Sequence, residues 1–340
     1  MTVVVRFGPV SARPGVRSLV VSSVLVVLAV LVGFVSLSRG AGWDPPSEVL
    51  GAFVGGGGSP VVVLQWRLPR VVAALVFGAG LGVSGAVFQN LTRNPLGSPD
   101  VIGLDAGAHT GALIVLTTLG GSALSLAGAA LLGGLLAASV VLALAAGRSS
   151  GAGLRLVVVG VAVNAMLVAL NSWIILRADL EVALAGAGWN AGSLNGVGWE
   201  DVGPALGVVV AVAVALVLLA PAIAQHDLGD GLAAGTGVEL VRLRRLLVVV
   251  GAAASAVVTA VAGPILFVAL AAPQIGRRLA GAAGTPLVPA AATGAVLLTT
   301  ADLVARLAPA GRAVPVGVVT VVLGGLYLMA LLAREVRTRW

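Results

Sequence analysis

Residues 67–108 read RLPRVVAALVFGAGLGVSGAVFQNLTRNPLGSPDVIGLDAGA. Two arginines, Arg67 and Arg70, open the stretch, and no charge follows from Val71 to Thr92. The run closes at Asn94-Pro95, where the missing proline N–H stops the helical ladder. About 20 apolar residues cross a bilayer as a helix, and this run is that long. Gly78, Gly80, Gly82, Ser84 and Gly85 give it the small-residue surface that lets neighbouring helices approach closely in lipid. These small residues are read as packing positions and are assigned no transport chemistry.

The rest of the 340 residues has the same character. Hydrophobic residues make up 59%, charged residues only 10%, and the mean hydropathy is +1.11, which is too apolar for a soluble chain of this length. Aromatic residues are 4% and the apolar runs are continuous, whereas a transmembrane barrel needs short alternating segments and aromatic girdles. The expectation is an all-α polytopic membrane protein. Arg6, Arg13 and Arg17 precede an apolar run from Leu19 to Leu37, read as an uncleaved first helix after a cytoplasmic segment 1–18. Further runs span Val71–Phe88, Leu156–Leu176, Pro204–Ala222, Leu287–Ala301 and Val314–Ala333. His109 to Arg148 is nearly twice a span and divides at Gly120-Gly121-Ser122. Leu246 to Gly276 is long for one crossing, and a break at Gly263-Pro264 keeps Arg242, Arg244 and Arg245 on the same side as Arg277 and Arg278. The expected total is about ten spans with both termini in the cytoplasm, where most of the arginines then fall.

Several chemistries are excluded by composition. There is no cysteine, hence no disulfide, thiolate metal site or cysteine nucleophile. All 20 basic residues are arginine, so the chain lacks the lysine of a phosphate-binding loop and cannot be a P-loop ATPase by itself. Gly55 to Gly58 has no following Lys-Ser and reads as an external loop. The net charge of +7 fits cytoplasmic loops of a membrane protein rather than nucleic-acid binding. His109 and His226, the only histidines, are far apart and lack ligand spacing, so no metal or cofactor site is expected. Arg67-Leu68-Pro69-Arg70 and Arg242-Leu243-Arg244-Arg245 each open a small-residue helix on opposite faces of this topology, as in an inverted repeat; chance recurrence in an Arg- and Leu-rich chain is an equal reading.

The quoted stretch resembles the FecCD family of ABC importer permeases, with its RLPR, its G-A-x-L-x-x-S-G-x-x-x-Q helix and its RNPL-x-x-P-x-x-x-G loop. WNAGSL at Trp189–Leu194 with Trp199, GPILFVALAAPQIGRRLAG at Gly263–Gly281, and the segment from Asp302 through Arg306 and Val314-Pro315-Val316-Gly317 to Gly324 follow in the family order. Gln274 stands where the family usually has histidine, so no role resting on a titrating imidazole carries over. The resemblance implies a single transmembrane permease domain over 1–340, of the type II ABC importer kind, in a bacterial cell membrane. It implies a non-catalytic subunit carrying a ferric siderophore, haem or cobalamin. The partners implied are cytoplasmic ATPase subunits, an extracytoplasmic binding protein and a second permease copy or paralogue.

Residue by residue, the resemblance implies that Arg67, Arg70 and Arg306 receive acidic residues of the binding protein, for which arginine's planar fork is suited. Leu228–Leu240, LGDGLAAGTGVEL, resembles the ATPase-coupling segment within 223–241, with Gly229, Asp230 and Gly237 as shape and capping positions. Gln89 and Asn90 either face the solute or bond a neighbouring helix. Ala152 and Gly153, in a loop read from Gly147 to Arg155, are gate candidates. The competing reading is an ion-coupled secondary transporter, which would need intramembrane carboxylates; Asp105 and Asp302 are the acids near spans, both close to helix ends. A membrane-embedded enzyme is the third, without paired carboxylates or a metal motif at one depth.

Overall fold

A computed structural model describes residues 5–7, 10–12, 15–40, 42–55, 59–119, 123–145, 152–308 and 314–338. A short antiparallel ribbon, β1 (Val5–Phe7) and β2 (Val10–Ala12), precedes an otherwise helical chain. The helices are α1 (Val16–Ser38), α2 (Pro46–Val54), α3 (Leu68–Thr92), α4 (Leu104–Leu119), α5 (Ala123–Ala145), α6 (Ala152–Arg177), α7 (Leu180–Asn190), α8 (Trp199–Asp227), α9 (Asp230–Gly235), α10 (Leu240–Ala262), α11 (Val268–Ala280), α12 (Leu287–Arg306) and α13 (Val316–Thr338). A π-helical turn, Val61–Arg67, runs straight into α3, and a 3₁₀ turn, Pro99–Ile102, precedes α4.

Every apolar run expected to cross has a helix within it. Seven stretches among the described residues are long and apolar enough to span a bilayer: α1, Val61–Thr92, Ser125–Ala145, Leu154–Arg177, α8, α10 and α12. The other three expected crossings coincide with α4 (16 residues), α11 (13 residues) and the apolar part of α13, Val316–Met329. Among the described residues, length and composition thus carry seven of the about ten expected spans. The expected break near 263 is present. Helix α10 stops at Ala262, Gly263 has φ 69°, and Phe267 has φ 69° before α11 begins. A neighbouring segment supplies one of the hydrogen bonds lost there, as non-helical backbone at membrane depth requires: Ser193 N–H donates to Ala262 O at 2.6 Å.

Helix α3 is the axis of the bundle. In its most apolar window 72% of residues are buried, against 17% in α6 and in α8, so α3 is enclosed by protein while α6 and α8 present Val and Leu outward. It packs most extensively on α12, then on α10 and α11. The reason lies in its glycines. A methyl group at Gly78 would overlap the Gly294 carbonyl of α12, and one at Gly85 the Ala269 carbonyl of α11. Lipid offers no hydrophobic drive between helices, so this backbone-to-backbone packing is what holds them together. Its own Phe77 and Phe88 are fully enclosed.

Candidate functional site

Two polar clusters lie at opposite ends of α3. At its N-terminal end, the side chain of Asp302, in the last turns of α12, is only 1% exposed and is held by two arginines. Arg70 donates from Nε to Asp302 Oδ1 at 2.9 Å and from Nη1 to Asn195 Oδ1 at 2.5 Å, and its Nη2 lies 2.7 Å from the same carboxylate oxygen. Arg306, one turn beyond Asp302, donates from Nε to Oδ2 at 2.9 Å and from Nη1 to Ser36 O at 3.1 Å. Arg67 donates to Leu37 O at 2.9 Å and pairs with Asp44. Arg67 and Arg306 therefore satisfy successive carbonyls in the last turn of α1, where a cation is favoured by the helix dipole. The three arginines expected to be docking residues come together here. Their side chains are only 10–18% exposed and their forks are engaged within the chain.

At the other end, α8 turns into α9 through Leu228 and Gly229, whose φ of 110° and ψ of 156° suit glycine alone. Gly237, at φ 89°, makes the exit turn. A methyl group at either would meet nothing within 4 Å, so these glycines serve backbone shape rather than room. Asp230, the first residue of α9, pairs with Arg93 at 2.7 Å and Arg244 at 2.5 Å. Partial burial pushes its carboxyl up, but the Arg244 hydrogen bond and the charges of Arg244, Arg93 and His226 outweigh this and hold it below its ordinary value. Thr236 Oγ1 donates to Gln225 Oε1 at 2.9 Å and closes the segment back onto α8.

Behind that segment lies a buried network absent from the sequence reading. Asn90 Nδ2 donates to Asp227 Oδ1 at 2.6 Å and to Thr285 Oγ1 at 2.7 Å. Asp227 Oδ2 accepts the Thr285 N–H at 2.8 Å. His226, 1% exposed, places Nδ1 at 3.0 Å from Asn90 Oδ1. Because that amide oxygen only accepts, Nδ1 carries the proton in this arrangement. Gln89 Nε2 donates to Leu270 O at 3.0 Å, and Gln274 Nε2 to Pro95 O at 2.7 Å. Gln89 and Asn90, 7% and 8% exposed, are thus bonded to neighbouring helices, although both also line a cavity of about 410 Å³ with Arg93, Asn94 and His226.

The remaining candidates are dispersed. Ala152 and Gly153 stand at the described start of α6, and the loop before them, 146–151, lies outside the described residues, as do 56–58 of the glycine run. His109 stacks on Trp189 at 5.8 Å between ring centroids, and Asp105 accepts from Thr259 Oγ1 at 2.8 Å. No group of residues that could hold a metal occurs among the described ones. The arginines of the two echoed motifs, Arg70 and Arg244, lie at opposite ends of the bundle, because Arg93 at the end of α3 and Arg244 at the start of α10 meet on the same Asp230.

A model described as the FecCD transport family matches residues 27–334. The ferric enterobactin transport system permease protein FepG of Escherichia coli (strain K12) is 43% identical over 325 residues, covering 95% of this chain and 98% of that protein. The iron(3+)-hydroxamate import system permease protein FhuG of Bacillus subtilis (strain 168) is 34% identical, covering 94% and 98%. The cobalamin import system permease protein BtuC of Halobacterium salinarum is 36% identical, covering 82% and 75%. Among solved structures, an ABC transporter of metal-chelate type in an inward-facing conformation superposes with a TM-score of 0.81 at 26% identity, covering 93% of this chain and 99% of that one.

Proposed function

The chain belongs to the FecCD transport family, and from that premise we propose that it is the membrane-spanning permease subunit of an ATP-binding cassette importer for a ferric siderophore or related metal chelate. The observation that carries the reading is the identity of 43% along 95% of the chain to a permease named for ferric enterobactin transport. A catecholate iron chelate is therefore the first cargo to test. In this reading residues 1–340 form one domain of ten crossings in a bacterial inner membrane with both termini in the cytoplasm. It pairs with a second copy or paralogue around the pathway.

The chain supplies no ATPase chemistry of its own, having no lysine for a phosphate loop. Separate cytoplasmic ATPases would grip Gly229–Gly237 and rock the helices through it. Arg67, Arg70 and Arg306 form the face on which an extracytoplasmic binding protein docks its carboxylates. Asp302 and Asp44 hold their forks in place beforehand, so an incoming carboxylate shares or replaces these resident partners. Ala152 and Gly153 stand as gate positions at the inner end of α6.

Ion coupling is disfavoured by two observations. Asp302 is committed to two arginines, and Asp105 is bonded by Thr259. Uptake of ferric enterobactin into vesicles discriminates the two mechanisms. Uptake that needs ATP, the ATPase and the binding protein supports the importer reading; uptake driven by a proton gradient alone refutes it.

A further inference from the structure

Asn90 occupies the point where three parts of the chain meet. It belongs to α3, the most enclosed helix. Its amide oxygen faces His226 at 3.0 Å, and its amide nitrogen donates to Asp227 at 2.6 Å and Thr285 at 2.7 Å. His226 and Asp227 are the last residues of α8 before the turn into α9, and Thr285 lies in the connection from α11 to α12. His226 Nε2 looks toward Asp230 Oδ1, 3.7 Å away, the same oxygen that Arg93 holds at 2.7 Å. Each bond made by Asn90 therefore runs to a segment adjoining the proposed coupling region, and each of the two residues is 8% exposed or less.

Two features set this apart from ordinary packing. An apolar side chain would fill the site, whereas a buried amide with all its groups satisfied fixes one relative position of its partners. The alternative route from α9 to α3 is the Arg93–Asp230 pair. Its side chains are 52% and 36% exposed, so it is screened by water and weakly directional. We propose that the His226–Asn90–Asp227 network is the joint that transmits displacement of the coupling segment to α3, with His226 and Asn90 as positioning residues. This deepens the permease reading and rests on it.

The chain is free of cysteine, so spin labels can be placed without removing native thiols. Leu232 in α9, Leu96 after α3 and Leu154 at the start of α6 are exposed by 63%, 53% and 73% and take labels without entering the core. In the permease assembled with its ATPase subunits, distances Leu232–Leu154 and Leu96–Leu154 are measured by pulsed electron resonance with and without ATP. The expected result is that ATP shifts both distances in the otherwise wild-type protein. In Asn90→Ala and His226→Ala the Leu232 shift remains and the Leu96 shift is lost. His226→Asn, whose amide N–H sits where Nδ1–H does, retains both, while His226→Gln, which mimics Nε2, loses the second. If the Leu96 shift survives in both alanine variants, the joint is refuted while the coupling reading stands. If ATP moves neither distance before any of these substitutions, the coupling reading itself fails, and the joint with it.

Discussion

Arg70 reaches across 232 positions of sequence to set its Nη2 2.7 Å from Asp302 Oδ1, at a carboxylate that is 1% exposed. Removing one partner of a buried ion pair leaves an uncompensated charge in a poorly solvated place, and such changes cost about 3 kcal/mol or more. Asp302→Asn would strand both Arg70 and Arg306. The expected outcome is a loss of about 3 kcal/mol, read by denaturant unfolding in detergent micelles. Asp44→Asn, at a carboxylate 37% exposed, is expected to cost under about 1 kcal/mol.

The same contrast selects the informative docking variant. Reversing Arg306 would place a second carboxylate against buried Asp302 and damage the fold. Arg67→Glu takes a donor from the Leu37 carbonyl and sets a second carboxylate beside Asp44, but Asp44 is 37% exposed, so water screens that repulsion. Purified Arg67→Glu is expected to insert normally and to bind its extracytoplasmic binding protein at least about tenfold more weakly by surface plasmon resonance, since truncating a charge-pair partner costs about 2 kcal/mol or more. Unchanged affinity would remove Arg67 from the docking face.

Glycine positions divide by what an added methyl would meet. Gly82→Ala would run into the Ala290 carbonyl of α12 and Gly85→Ala into that of Ala269, both rigid backbone. Each is expected to lower stability by about 1–3 kcal/mol, the cost of overpacking. Gly207→Ala in α8 meets nothing within 4 Å and is expected to be neutral or to gain up to about 1 kcal/mol. Thermal aggregation midpoints of the three variants, measured side by side, check the order.

Asp230 makes the anchorage of the proposed coupling segment pH-dependent in one direction. Its carboxyl is held below its ordinary 3.8 by Arg244 and Arg93 against the opposing effect of burial. A depressed acid contributes its stability in full above the unfolded value and loses it as pH falls through the folded one. Mobility of a spin label at Leu232 is therefore expected to be constant from pH 8 to about 5 and to rise only in stronger acid, near and below the usual carboxyl range. Asp230→Asn should show the high mobility at every pH. A label whose mobility rises between pH 7 and 6 would contradict this.

The long helices were legible because an uncharged run of bilayer length can be little else. The break at Gly263-Pro264 followed from arginine placement and appears as the end of α10 at Ala262. The short helices α2 and α7 were not legible as helices; nine and eleven residues give periodicity too little to act on. Both polar clusters depend on contacts between residues far apart in sequence. Asp302 with Arg306 has helical spacing that could have flagged the pair, but nothing local joins either to Arg70, or Asn90 to His226, 136 positions away. His226 lies within the expected coupling segment 223–241, and nothing in its local sequence signals the burial that the packing gives it, 1% exposed.

The central claim is that this chain is a conduit driven from outside itself. The direct measurement is accumulation of radioactive ferric enterobactin in proteoliposomes holding the permease, its binding protein and ATP, with and without the ATPase subunits. The account requires accumulation only when the ATPase subunits are present, and abolition by a hydrolysis-deficient ATPase. Accumulation of the same size without them would contradict it.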